Sequence, residues 1–140
     1  MDIYAQFLKD DLKNTIKNIL INISKNKINK FCIYISFEKD YDDVIFPELD
    51  DYDNDASYTI VLQNMFWNLT VDDDGFSVTL KFDDENIQVY IPFESITLFT
   101  DTFNNFLLDL RAFKLSESTL SIHNEDINND KDSNLIYIDL

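Results

Sequence analysis

Apolar residues recur along the first 24 positions with a helical step. In "DIYAQFLKDDLKNTIKNILINIS", residues 2–24, they stand at Tyr4, Leu8, Leu12, Ile16, Ile19 and Ile23. Spacings of three and four line one face of an amphipathic helix, and Ile3, Phe7 and Leu20 widen the stripe. Asp2 suits the positive end of such a helix, and the lysines of "SKNKINK" suit its negative end. A stripe of this width serves packing on a sheet. It also offers a two-fold dimer contact around Tyr4, Leu8 and Leu12.

After residue 30 the period shortens to two. "FCIYISF" alternates Phe31, Ile33, Ile35 and Phe37 with Cys32, Tyr34 and Ser36, the pattern of a half-buried strand. A long acidic connection, residues 38–57, holds an apolar island, "VIFP", at Val44–Pro47. Strand-like runs then follow closely: "YTIVLQ" (58–63), "WNLTV" (67–71), "FSVTLKF" (76–82) and "IQVYI" (87–91). Alternation puts Trp67, Leu69 and Val71 on one face, and Phe76, Val78, Leu80 and Phe82 on another, with "DDDG" and "DDEN" as hairpin turns. "PFESITLF" reads as a short helical turn opened by Pro92, and "FNNFLLDLRAF" as a closing strand. One helix followed by five or six short antiparallel strands predicts a mainly β fold, a small and partly open barrel over residues 31–113.

From Leu115 the periodicity fails. "SESTLSIHNEDINNDKDSN" has the composition of a solvated, disordered segment, yet it leads into the apolar "LIYIDL", residues 135–140. An apolar stub there is either a last strand of the fold or a segment meant for another protein. The nineteen residues before it are too polar for a connection inside a compact domain, which favours the second reading.

Charge removes several classes of function. Twenty-seven acids against eleven bases leave a net charge of -16, and Arg111 is the single arginine. Nucleic-acid binding draws its affinity from cations on phosphates, so nucleic acids and anionic membranes are excluded as expected partners. No apolar run approaches the roughly 18 residues of a membrane span, and "MDIYAQFLKDD" lacks the parts of a signal peptide. Cys32 stands alone in a strand pattern, as a core thiol does. A soluble, cytoplasmic protein is expected. With one glycine in 140 residues, Asn and Asp must supply most turns.

The same inventory argues against catalysis. The one histidine, His123, lies in the polar tail, where a rigid triad has no support. "TVDDDGF" resembles a calcium loop only until Gly75 is set at the sixth position. Thr70 then stands first and Lys81 twelfth, where acids are required. One glycine cannot build a phosphate-cradling loop. Neither an enzyme nor a cofactor is expected. A binding surface is easier to build: "LQNMFW" carries one strand into the next and sets Gln63 and Asn64 beside Met65 and Phe66. An amide, a mouldable thioether and an aromatic wall are parts with which a sheet edge takes up an extended peptide.

The block "YTIVLQNMFWNLTVDDDGFSVTLKFDDENIQVYIPFESITLFTD", with "IYISF" and "VIFP" upstream, resembles the alpha-type branch of the SspB family. These are bacterial adaptors that deliver ssrA-tagged proteins to the ClpXP protease. The resemblance covers about residues 3–111. It implies an SH3-like or Sm-like open barrel behind an N-terminal helix, commonly dimeric through that helix, as one peptide-binding domain over residues 1–113. It further implies a tag groove at Val44, Phe46, Gln63, Asn64, Met65, Phe66 and Ser77. Residues 114–134 become an acidic linker. Leu135, Ile136, Tyr137, Ile138 and Leu140 become the segment that docks on ClpX. Unlike the family's usual linker, rich in Ala, Pro and Glu, this one is rich in Asn and Asp, and no basic end follows the apolar run. The alternative is a module of the same fold that binds another peptide or RNA without delivering it; the charge speaks against RNA.

Overall fold

The computed structural model describes residues 3–48, 57–63 and 66–111. Helix α1 runs from Ile3 to Ser24. Its C-terminal half carries the buried face: Ile16, Leu20 and Ile23 are enclosed, with Leu12 and Ile19 half-buried against the same core. The helix ends in a Schellman turn. Lys27 N–H donates to the Asn22 carbonyl at 2.8 Å and Asn26 N–H to that of Ile23 at 3.0 Å, while Asn26 takes φ 60. Glycine usually fills that left-handed position, and asparagine is among the few residues that tolerate it. The lysines expected to close the helix by charge lie beyond its last turn; backbone bonds close it instead.

Seven strands follow: β1 (Ile33–Glu38), β2 (Ser57–Leu62), β3 (Phe66–Val71), β4 (Gly75–Phe82), β5 (Glu85–Pro92), β6 (Ile96–Asp101) and β7 (Phe106–Asp109). They form two antiparallel sheets, ordered β2-β1-β6-β7 and β3-β4-β5, which do not close into one barrel. The mainly β fold with an N-terminal helix is therefore as the pattern predicts. The strand count is corrected at "PFESITLF". Only Phe93–Ser95 is helical, a single 3-10 turn, fixed by the Ser95 hydroxyl donating to the Pro92 carbonyl at 2.7 Å. Ile96 onward is a strand paired on both sides, with β1 and β7, because β-branched and aromatic residues fill a doubly paired position well. The expected closing strand shortens to β7, since residues 102–105 turn.

Alternation holds in β2 and through most of β4, where Tyr58, Ile60, Leu62, Phe76, Val78 and Leu80 are buried. It breaks in β3. A register shift lies between Trp67 and Thr70, and Asn68 there takes φ 57. Phe66, Leu69 and Val71 all pack toward the core, because an extra residue in a strand exchanges the faces on either side of it. The side chain of Trp67 lies outside the described part.

Every described non-glycine residue with positive φ is Asn or Asp: Asn26, Asp43, Asn68, Asp83, Asp84 and Asn105. Asp83 and Asp84, at φ 46 and 70, form the two-residue loop between the paired Phe82 and Glu85, the geometry of a type I′ hairpin. Gly75 is not used that way; it opens β4 where β5 crowds it. In the turn after β6, Asp101 is buried and fully occupied. Its Oδ1 accepts N–H groups of Cys32 (3.1 Å), Phe103 (3.1 Å) and Asn104 (3.3 Å), and its Oδ2 accepts the Asn104 side-chain amide at 2.7 Å. One carboxylate thus ties the β6–β7 turn to the entry of β1. Glu94, in the 3-10 turn, pairs with Lys9 at 3.0 Å and with Lys13, which fixes α1 to the sheets. Partial burial would raise the Glu94 carboxyl. Hydrogen bonds from Lys13 and Lys9 outweigh it and hold the group below its ordinary range.

Candidate functional site

Strands β2 and β3 follow one another in the chain yet belong to different sheets, and each is an outer strand. Only residues 63–65 separate them in the chain. The result is a seam where two sheet edges part. The edge of β5 is treated differently. Ile45 lies along β5, donating to the Tyr90 carbonyl at 3.0 Å and accepting from Tyr90 N–H at 2.9 Å. That pair of bonds anchors the island at Val44–Pro47 and fixes where Phe46 points.

Phe46 enters an aromatic cluster that joins the two sheets. Its ring lies 5.1 Å from Phe37, 5.3 Å from Tyr58 and 5.5 Å from Phe82, centre to centre. Val44 is half-buried against the same core. At the opening of β3, the half-buried Phe66 meets Phe31 at 5.8 Å. Gln63 follows β2 and is exposed, so its amide is presented beside the seam. Asn64 and Met65 lie outside the described residues. Ser77 is not gathered with the others: it pairs with Thr70 and Tyr90, whereas Phe66 pairs with Leu80. Three residues along a strand are about 10 Å. Tyr58, Phe82 and Phe31 are the neighbours that sequence reasoning missed. Their strand alternation marked them as apolar, but nothing local tied them to Phe46 or Phe66.

Charged groups lie at both ends of these strands. The ammonium of Lys39 stands 5.1 Å over the Tyr58 ring. At the β3–β4 turn Asp72 Oδ1 accepts the N–H groups of Asp74 and Gly75, each at 2.8 Å, and the Tyr90 hydroxyl at 3.2 Å. Slight burial pushes the Asp72 carboxyl up, but these donors outweigh it and hold the group below its ordinary range. Burial and the bond to Asp72 push the Tyr90 phenol up to about 12. No group of three or more His, Cys, Asp or Glu side chains among the described residues is placed to hold a metal ion.

The helix stripe divides in two. Leu12 belongs to the core side, whereas Tyr4 is 80% exposed, Ile3 58%, Phe7 56% and Leu8 52%. The first two turns of α1 therefore project an apolar patch that the described sheets do not cover. Leu135, Ile136, Tyr137, Ile138 and Leu140, with the linker 114–134, lie outside the described residues, as does the end of the expected 1–113 domain beyond Arg111. Among the described residues no helix is long and apolar enough to cross a membrane.

A helix laid on two open antiparallel sheets, with aromatic rings packed where the sheets meet, defines a mainly β domain. The chain belongs to the SspB, or stringent starvation protein B, family, whose sequence model matches residues 7–134. That membership suggests an adaptor-type role for the ClpXP protease. Comparison with curated proteins gives no match.

Proposed function

We propose that the protein is a bacterial, cytoplasmic adaptor: it binds the ssrA-type tag of a substrate in extended form at the β2–β3 seam and tethers that substrate to ClpXP. The observation that carries this reading is the seam itself, in a chain of the SspB family. Gln63 stands exposed beside two outer strands; Phe66, on β3, and Phe46, in the segment before β2, supply aromatic rings. Main-chain groups on an outer strand give a peptide affinity without regard to sequence, and the flanking side chains read its residues. Binding rather than catalysis is the work of the site, and no cofactor enters it.

In this reading residues 135–140 dock on the N-terminal domain of ClpX, and 114–134 are the leash. Twenty-one flexible residues have an end-to-end distance of roughly 25 Å. Such a leash raises the local substrate concentration toward roughly millimolar, so delivery needs no further contact. The apolar patch at Ile3, Tyr4, Phe7 and Leu8 supports a two-fold homodimer through α1, which would pair two tag sites and two tails.

A fluorescence-anisotropy titration with an ssrA peptide tests the site. Gln63→Ala should weaken binding by about 1–3 kcal/mol if its amide bonds the peptide away from water. Unchanged affinity in the double variant Gln63→Ala, Phe66→Ala would move the site elsewhere.

A further inference from the structure

Strand β7 is an outer strand of the four-stranded sheet, and among the described residues nothing pairs with its far side. Such an edge offers a row of unpaired N–H and C=O groups. This one is apolar on both faces. Leu108 is buried and Phe106 half-buried on the core side, and Leu107 is half-buried on the other. Across that outer face Leu107 continues through Thr100 and Tyr34 to Val61 by direct strand pairing, a row without charge. The acid of the strand, Asp109, is closed by Arg111, whose guanidinium donates to both carboxylate oxygens at 2.9 and 2.6 Å. In a chain of net charge -16, this is a neutral edge.

An occupant of such an edge must be extended, apolar to both sides and nearly uncharged. "LIYIDL" meets each condition: Leu135 and Tyr137 alternate with Ile136 and Ile138, and Asp139 is its single acid. The intervening residues, 112–134, follow Arg111, two residues past the end of β7. As a flexible chain they span about 26 Å, so the segment stays within reach of the edge. The free edge of β2 fits less well, because Ser57 and Thr59 make its outer face polar. The patch on α1 offers no extended edge for a strand to pair with, since past its first turn the main-chain groups are taken up by helix bonds.

We propose that residues 135–140 add to the free edge of β7 as a parked fifth strand of that sheet, exchanging with the free form that docks on the protease. The consequence for docking rests on the adaptor reading; the parking does not. A four-residue edge supplies few hydrogen bonds, so the parked form is weak and reversible. The tether compensates with an effective concentration toward roughly millimolar. Apparent affinity for the docking partner falls by the fraction of tails that are free. The adaptor then carries its docking segment covered and releases it to the protease by competition, without exposing a bare apolar stub.

The test uses the full chain with a nitroxide at position 139, attached through the substitution Asp139→Cys in a Cys32→Ser background. Parking predicts broadening of the Phe106–Asp109 amide signals, lost on adding Ile136→Asp and Ile138→Asp while the other amide signals of the domain stay in place. Broadening confined to α1, or absent, overturns the proposal. So does broadening that persists when labelled chains without isotope are mixed with unlabelled, isotope-enriched chains, which would mean a second copy. Leu107→Lys should abolish the broadening and tighten binding to the isolated ClpX N-terminal domain about two- to fivefold; unchanged binding refutes the competition. If no chain binds that domain while the broadening persists, the adaptor reading fails and the parked strand stands.

Discussion

Replacing Gly75 with alanine puts a methyl group where β5 leaves no room. An ideal Cβ at this position lies 2.5 Å from the Ile91 carbonyl oxygen, 2.8 Å from Pro92 Cα and 2.8 Å from the Tyr90 hydroxyl. The tyrosine could swing only by giving up Asp72, and the other two atoms are main chain. Gly75 pairs with Pro92 at the end of the β4–β5 ladder, so the strands themselves must part. Overpacking of this kind costs about 1–3 kcal/mol. Gly75 does not have positive φ, so alanine meets no backbone strain and restricts the unfolded chain, returning about 0.4–1 kcal/mol. The balance is a loss of about 1–2 kcal/mol, or roughly 5–15 °C in Tm for a domain of this size. Thermal unfolding followed by circular dichroism reads it directly. Asp84→Gly is the control of opposite sign, since Asp84 sits at φ 70 and glycine relieves a left-handed position; its Tm should rise. A Gly75→Ala protein as stable as the parent would refute the close approach of β5.

Asp101→Ala should destabilise by about 2–4 kcal/mol in urea, because three backbone N–H groups lose their acceptor in a buried turn. A loss under about 1 kcal/mol would show that water replaces the carboxylate. Glu94 is held below its ordinary value of 4.5, so its pairs with Lys9 and Lys13 stabilise the fold above that value and fade as pH falls through the lower folded one. The Tm difference between the parent and Glu94→Gln should therefore close in acid; a constant gap would count against the ion pairs. Tyr4→Asp with Leu8→Asp should convert a dimer of about twice the 16.5 kDa chain into monomer by sedimentation equilibrium, at unchanged helix content, and a parent that is already monomeric removes the dimer. Deleting residues 135–140 should leave Tm within a few degrees and tag binding intact while abolishing stimulation of ClpXP at low substrate; a protein that melts far lower and loses the tag would make the segment part of the core.

The sequence alone determined what depends on neighbours close in the chain. Period set α1 and most strands, and the near absence of glycine meant that Asn and Asp would supply most turns; Asn26, Asp83, Asp84 and Asn105 are the left-handed positions where they do so. Motif resemblance led to the family that residues 7–134 match. Tertiary structure decided the rest. Ile96–Asp101 became a strand because β1 and β7 offer it partners on both sides, and no local pattern encodes a partner about 60 residues away. The bulge at Asn68 moved Phe66 to the core side, a change of face that a strict two-residue period cannot express. Gly75 looked like a turn glycine and proved to be a point of contact between strands. Phe46 read as part of an isolated island. Only the meeting of two sheets gave it Phe37, Tyr58 and Phe82 as neighbours, because packing partners are chosen by position in space.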